Sequence, residues 1–299
     1  SSPGRRCEEY KLITPADTKI ITGSAYGLLR GEFFKERHRL LVASSGRQPN
    51  SRLKVFVCFG AMDNQDMSSV VLDALDHISF DFEIHFVLGP TASNVSSVSE
   101  RIQALNDCAS LHIWPAHISN LMAECDIAIG SGGTMALERC SLGLPSILIA
   151  TASNQVIQAA ALELQEAVEV VVPIPGRTAK NLADVVNNLV GSPNRLAAMR
   201  THAFSQCDGL GVSRVQSAIL PALSRENLPI TLRPANFDDR KMVFEWQNEP
   251  GARQHFRNPS SLEWNEHVDW YAKTLSNPRS LAKVFPLLSI ATTIIIAVI

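Results

Sequence analysis

Asp126-Ile-Ala-Ile-Gly-Ser-Gly-Gly-Thr-Met-Ala-Leu-Glu138 decides how this chain reads. A short aliphatic run ends in three glycines within four positions, and a helix-forming segment begins at Thr134. Glycine lets a backbone approach a ligand closely and take positive φ. The first turn of a helix leaves N–H groups unpaired, and the helix dipole adds partial positive charge there. A strand, a glycine turn and a helix N-terminus in that order make an anion site at the carboxyl edge of a parallel sheet. Thr134 suits a helix cap or a contact to a phosphate oxygen. Glu138, four residues on, shares its helix face. A carboxylate there suits the two hydroxyls of a ribose and would repel a phosphate. Gly132, Gly133, Thr134 and Glu138 therefore point to a nucleoside diphosphate. The same residues also suit a tight strand-to-helix turn with a solvated glutamate. Neither the Gly-Lys-Ser/Thr of a Walker loop nor the G-x-G-x-x-G dinucleotide order is present.

Working outward, residues 53–223 alternate strand and helix signals. Strands are expected at 53–59, 82–88, 110–113, 126–129, 145–150 and 167–172, each stopped by turn residues or followed by a helical pattern. Helices are expected near 67–77, 99–106, 118–124, 134–141, 155–165, 178–190, 194–205 and 212–223. Six strand-then-helix units predict an α/β fold, a Rossmann-like parallel sheet with helices on both faces. The strands are apolar along their length, as strands buried on two sides are.

Two further loops fall at strand carboxyl ends, where open α/β sheets bind ligands. Gly60, in Phe59-Gly60-Ala61-Met62-Asp63, offers backbone donors. Asn154 and Gln155 open a helix after a strand and suit sugar hydroxyls or a diphosphate, or simply cap that helix. His85 and His112 lie in strands and read as core or edge histidines. Asp208, in Cys207-Asp-Gly-Leu-Gly211, reads as part of a turn that places the next helix. No acid/base pair, nucleophile triad or Gly-x-Ser-x-Gly elbow occurs, so no catalytic residue is assigned.

The 299 residues suffice for two domains. Residues 45% hydrophobic and 19% charged, with net charge −2, describe a folded globular chain rather than a disordered one. The lack of a basic excess argues against a nucleic-acid partner. Six cysteines show neither C-x-x-C nor zinc-ligand spacing and read as free thiols in a reducing compartment, with no metal. No apolar signal segment opens the sequence, and a cytoplasmic location is expected. Residues 1–52 carry one strand-like piece, Thr18 to Ile21, and read as the remnant of a preceding domain plus a linker. A boundary falls near 224–229, after which aromatics cluster: three of the four tryptophans lie between Phe237 and Tyr271. Helices are expected at 237–248, with Phe237, Val243, Phe244 and Trp246 towards a core, and at 262–275. The tail at 284–299 ends in thirteen uncharged residues, Leu287 to Ile299. That is short of the roughly 20 needed to cross a bilayer. It reads as a product of truncation or a changed reading frame, or else as a membrane anchor.

Several motifs occur together and in order: Val57-Cys-Phe-Gly-Ala-Met-Asp63, His85-Phe-Val-Leu-Gly89, Ile129 through Pro145, Asn154-Gln155, and Asp208-Gly-Leu-Gly-Val-Ser-Arg214. Over about residues 10–223 they resemble the UDP-sugar hydrolase of the pseudaminic acid pathway, which is built like two-domain GT-B glycosyltransferases. The resemblance implies that 53–224 is a GT-B carboxyl-terminal domain holding a UDP-sugar without a cofactor. Its glycine helix would take the diphosphate (Gly132, Gly133, Thr134) and Glu138 the ribose, with lesser roles for Gly60, Asn154 and Gln155. It also implies an amino-terminal G-x-G-H-x-x-R motif that this sequence does not contain. Residues 17–34, with Tyr26-Gly-Leu-Leu-Arg30 and Phe33, look like that family's linker between halves. The chain is thus expected to be a fragment or half-enzyme partnered by a separate amino-terminal domain. The alternative is the donor-binding subunit of a split GT-B glycosyltransferase, with an acceptor-binding partner, or an inactive fragment. Residues 229–278, with Ile230-Thr-Leu-Arg-Pro-Ala-Asn-Phe-Asp-Asp239 and Trp264-Asn-Glu-His-Val-Asp-Trp-Tyr271, resemble the start of a GNAT N-acetyltransferase. The acetyl-CoA pyrophosphate loop of that family is missing, so acetyl-CoA is expected only where such a domain is complete.

Overall fold

The computed structural model describes residues 3–4, 6–11, 14, 18–42, 52–105, 108–224, 233–249, 253, 260–276 and 283–284, with backbone alone at 220–224, 233–234, 276 and 283–284. Residues 1–218 form one compact unit and 219–299 another. The apolar tail beyond Val284 and, of the boundary expected near 224–229, all but Ser224 lie outside the described residues.

The first unit is built on six parallel strands: β1 (Leu53–Cys58), β2 (Phe82–Leu88), β3 (Ala109–Ile113), β4 (Ile127–Gly130), β5 (Ser146–Ile149) and β6 (Val168–Val171). Their spatial order is β3-β2-β1-β4-β5-β6, and every neighbouring pair runs parallel. Around the sheet are α1 (Cys7–Lys11), α2 (Gly31–Val42), α3 (Met67–Ala74), α4 (Val95–Gln103), α5 (Ile118–Glu124), α6 (Thr134–Ser141), α7 (Ser153–Glu163), α8 (Thr178–Val190), α9 (Pro193–Gln206) and α10 (Gly211–Ser224). Among the described residues no helix is long and apolar enough to cross a membrane.

Alternate strand residues feed two separate cores, because successive side chains of a strand point to opposite faces. Val55, Val57, Ile127, Ile129, Ile147 and Ile149 pack with apolar residues of α3, α4 and α8. Phe56, Cys58, Ala128 and Leu148 pack with those of α2, α5, α6 and α7. This two-sided burial is the reason the strands read as continuous apolar runs.

Two local expectations need correction, and the packing of the stretch before β1 is a further finding. Helix α4 begins at Val95, four residues before the expected start, because Val95, Val98 and Ile102 already hold helical spacing within the serines, and Val98 and Ile102 are buried. Thr18 to Ile21 is not a strand. The stretch read as a linker is integrated into the first unit: Leu29 and Phe33 are buried in the second core. Arg37 of α2 donates to the carbonyls of Ser141 (2.8 Å), Cys207 (3.1 Å) and Phe204 (3.1 Å), capping the carboxyl ends of α6 and α9.

At the β2–β3 edge, His85 Nδ1 lies 2.8 Å from Ser110 Oγ and 3.2 Å from His112 Nε2, and Glu83 faces the other nitrogen of His85 at 3.2 Å. Burial pushes the pKa of both histidines down. They are half-buried edge residues, as expected. None of the six cysteines forms a disulfide.

The second unit has α11 (Arg240–Asn248) and α12 (Trp264–Ser276), with a two-residue antiparallel pair between β7 (Arg233–Pro234) and β8 (Lys283–Val284). Asn236 and Asp239 form a reciprocal capping box ahead of α11. Phe244 meets Trp264 edge-on at 5.0 Å, and His267 stacks near Tyr271 at 5.7 Å. Phe237, expected in a core, is exposed instead, and the Arg240 guanidinium lies over its ring.

The turn before α10 is closed by Asp208, whose carboxylate accepts two bonds from Arg214 and one from the Leu210 N–H. The Arg214 bond holds the Asp208 pKa down at about 2, from an ordinary 3.8. A depressed carboxylate pKa stabilises the fold fully above the ordinary value, and that stability is lost as pH falls through the depressed one. Both partners are more than a third exposed, so solvent screens the pair and it is worth under about 1 kcal/mol. Asp208→Asn should therefore flatten the fall of unfolding free energy between pH 4 and 2, by no more than about 1 kcal/mol, in urea titrations followed by circular dichroism. An acid limb identical to the parent's would remove Asp208 from that role.

Candidate functional site

The strand order reverses between β1 and β4: from β1 the chain builds towards β2 and β3, and from β4 towards β5 and β6. The loops leaving the carboxyl ends of those two strands diverge, and the crevice between them is where open α/β sheets take ligands. Cys58 and Gly130 are register partners. The loops that follow, with Gly60 in one and Gly132 and Gly133 in the other, therefore start side by side. Gly60 has φ +96°, a left-handed conformation that favours glycine. A third loop joins them: Gln65 donates to the Thr151 carbonyl, tying the β1–α3 turn to the β5–α7 turn.

The glycine turn is held from three directions. A Cβ on Gly130 would lie 2.3 Å from the Cys58 carbonyl oxygen and 2.8 Å from Arg139 Nη1, so only glycine fits. Behind the turn, Arg139 Nη2 donates to the Ser131 carbonyl at 2.6 Å. In front, Gln155 Oε1 accepts from the Gly132 N–H at 3.3 Å, the Thr151 N–H at 3.1 Å and the Thr151 hydroxyl at 3.2 Å. Gln158 Nε2 donates to the Gly133 carbonyl at 3.0 Å.

Gly133 stands at the N-cap of α6, and no side chain caps it. Thr134 is thus the first helical residue rather than the cap, with its side chain exposed. The N–H groups of Gly133, Thr134 and Met135 have no hydrogen-bond partner among the described residues. Gln155 lies inside the first turn of α7 and serves the glycine loop. Asn154 beside it is exposed and makes no side-chain hydrogen bond among the described residues.

Glu138 is buried one turn into α6. Arg30 donates to its Oε1 from Nε (3.3 Å) and Nη2 (3.2 Å), and Arg30 Nη1 pairs with Glu32 at 2.9 Å. Burial pushes the Glu138 pKa up, against the opposing pull of Arg30. Its Oε2 has no hydrogen bond among the described residues. His117 and Ser119 also face Glu32, at 3.8 Å and 3.3 Å, which extends the polar array along the same edge. Burial pushes the thiols of Cys58 and Cys140 up to about 12, so both remain protonated.

Five of the seven residues expected at the site, Gly60, Gly132, Gly133, Thr134 and Gln155, line adjoining loops. Glu138 follows on the helix, and Asn154 stands at its rim without a partner. Sequence reasoning passed over two arginines. Arg30 reaches Glu138 across 108 positions, a contact no local pattern shows. Arg139 carried a signal: on α6 it falls three residues after Ala136, on the buried stripe of that helix.

No protein-family model matches the chain. Over 267 residues it is 21% identical to the uncharacterized protein MJ1062 of Methanocaldococcus jannaschii, covering 85% of this chain and 49% of that protein. The chain thus spans about half the length of the curated relative it matches. Among solved structures it is similar to MurG of Acinetobacter baumannii, with TM-score 0.49 and 15% identity over 70% of this chain and 57% of that one. It is also similar to MnaA of S. aureus, solved with UDP, at TM-score 0.46 and 12% identity over 72% and 52% of the two chains. A third similarity is to the spinosyn rhamnosyltransferase SpnG with thymidine diphosphate, at TM-score 0.45 and 18% identity over 58% and 49%. With every TM-score below 0.5, the fold assignment stands on the strand order.

Two glycines separate structural need from ligand space. Gly130→Ala should cost about 1–3 kcal/mol of unfolding free energy, because the new methyl group meets backbone and a buried guanidinium. Gly133→Ala meets nothing nearer than Gln155 Nε2 at 3.8 Å and should cost less than about 1 kcal/mol. Equal costs in thermal denaturation would mean that the close approach at Gly130 is not what shapes the turn.

Proposed function

We propose that the first unit binds a UDP-sugar at the β1–β4 crevice. The observation that carries this reading is the pairing of α6 N-terminal N–H groups, free of protein partners, with a buried carboxylate one turn further along the same helix. The unpaired donors and the helix dipole suit the diphosphate. The carboxylate of Glu138 suits a vicinal diol, which donates two hydrogen bonds where a phosphate would donate none. Gly60 would add backbone contact from the neighbouring loop, and Asn154 is free to reach sugar hydroxyls.

The motif series from Val57 to Arg214 supports a finer reading. The whole protein would be a GT-B-like hydrolase that removes UDP from UDP-2,4-diacetamido-2,4,6-trideoxy-altropyranose in nonulosonic acid synthesis. In that reading this chain supplies the nucleotide half. The water-activating group that C–O hydrolysis requires would come from an amino-terminal domain outside this sequence.

Calorimetric titration of the protein with UDP, with CMP and ADP as controls, tests the reading. Selective binding of UDP is expected. Glu138→Ala should weaken it by about 1–3 kcal/mol, the cost of leaving buried polar partners unmatched. Undiminished affinity in that variant would reject the ribose assignment, and a parent protein that ignores all three nucleotides would reject the site.

A further inference from the structure

Arg139 has no exposed surface, and it is the largest fully buried side chain among the described residues. Nη2 donates to the Ser131 carbonyl, while Nε and Nη1 have no hydrogen-bond partner among the described residues. Among the described residues no carboxylate forms an ion pair with it. The titratable groups near it are the Cys58 and Cys140 thiols, both protonated and neutral, and Glu138, whose Oε1 is committed to Arg30. A buried charge without a partner is costly. If packing were all that this position required, an apolar side chain would serve it better.

Its placement shows what the charge is for. Side chains on a helix tilt towards the helix N-terminus, so Arg139 runs back beneath the glycine turn, with Nη1 against the Cα of Gly130. In a trans peptide the C=O and N–H point in opposite directions. By holding the Ser131 carbonyl on the inner side, Arg139 turns the Gly132 N–H outward, where Gln155 now meets it. The guanidinium thus lies on the buried side of the glycine turn, in contact with the Ser131 carbonyl.

We propose that Arg139 is a positioning residue for the anionic portion of the ligand, orienting the Ser131–Gly132 peptide and supplying from beneath the loop the positive charge that a diphosphate neutralises. This rests on the nucleotide-sugar reading above and adds a group that never touches the ligand. Its consequence is selectivity by charge: the benefit grows from nucleoside to monophosphate to diphosphate.

The test titrates the full chain, Arg139→Met and Arg139→Lys with uridine, UMP and UDP. For Arg139→Met, UDP affinity should fall about tenfold or more, UMP affinity by less, and uridine affinity by no more than about twofold. Arg139→Lys should retain the order UDP over UMP over uridine, since it retains the charge. The melting temperature of ligand-free Arg139→Met should change little, because removal of an unpaired buried charge offsets the loss of the bond to the Ser131 carbonyl. An equal loss for all three ligands, a methionine variant no weaker than the lysine one on UDP, or a large fall in ligand-free melting temperature would each overturn the proposal. A parent protein that binds none of the three would overturn the nucleotide reading and this one with it. A parent that binds UDP while the variants lose nothing overturns this one alone.

Discussion

Gly130 has room for no side chain, and much of the carboxyl edge follows from that. The Cys58 carbonyl and the Arg139 guanidinium together occupy the place a Cβ on Gly130 would take. The first contact joins β4 to β1 at the point where the strand order reverses. The second brings α6 directly against the end of its own strand. A Cβ there would lift the turn away from the sheet, and with it the Ser131 carbonyl, the Gly132 N–H and the N-cap at Gly133. The loop is thus shaped by packing beneath it as much as by the freedom of its glycines.

A second set of contacts fixes the far end of α6. Arg37 spans from α2 to three carbonyl oxygens at the ends of α6 and α9, with its guanidinium 4.6 Å from the Phe204 ring centroid. Phe204 in turn packs on Gly143, whose φ of +60° and lack of Cβ permit that approach. Residues 24–42 therefore belong physically to the first unit, although they precede its first strand. Arg30 and Arg37, about two turns apart with Phe33 between them, both address α6, one at Glu138 and the other at its carboxyl end.

The central strands were legible in the sequence because β4 and β5 are buried throughout and so read as unbroken apolar runs, whereas β3, at the sheet edge, is only partly buried and was legible mainly from its place between helical stretches. The glycine turn was legible because three glycines in four residues have few other uses. What could not be read locally were contacts spanning a hundred positions: Arg30 on Glu138, and Arg37 on Ser141 and Cys207. Gln155 illustrates a subtler gap. Its position at a helix start suggested a cap or a ligand contact, whereas its single Oε1 gathers three donors from two loops. The early start of α4 was masked by serines, which favour loops in general yet sit on the outer face of a helix whose valines and isoleucine were already in step.

The Arg30–Glu138 pair gives the edge a kinetic character. A hydrogen-bonding ligand that reaches Glu138 Oε1 does not fill a waiting acceptor; it trades places with a guanidinium that retains Glu32 as a second anchor. The exchange leaves Arg30 tethered nearby, so rebinding of the arginine competes with the ligand at high effective concentration. The residence time of a ligand at this carboxylate would then depend on a side chain that lies 108 positions away and outside the sheet.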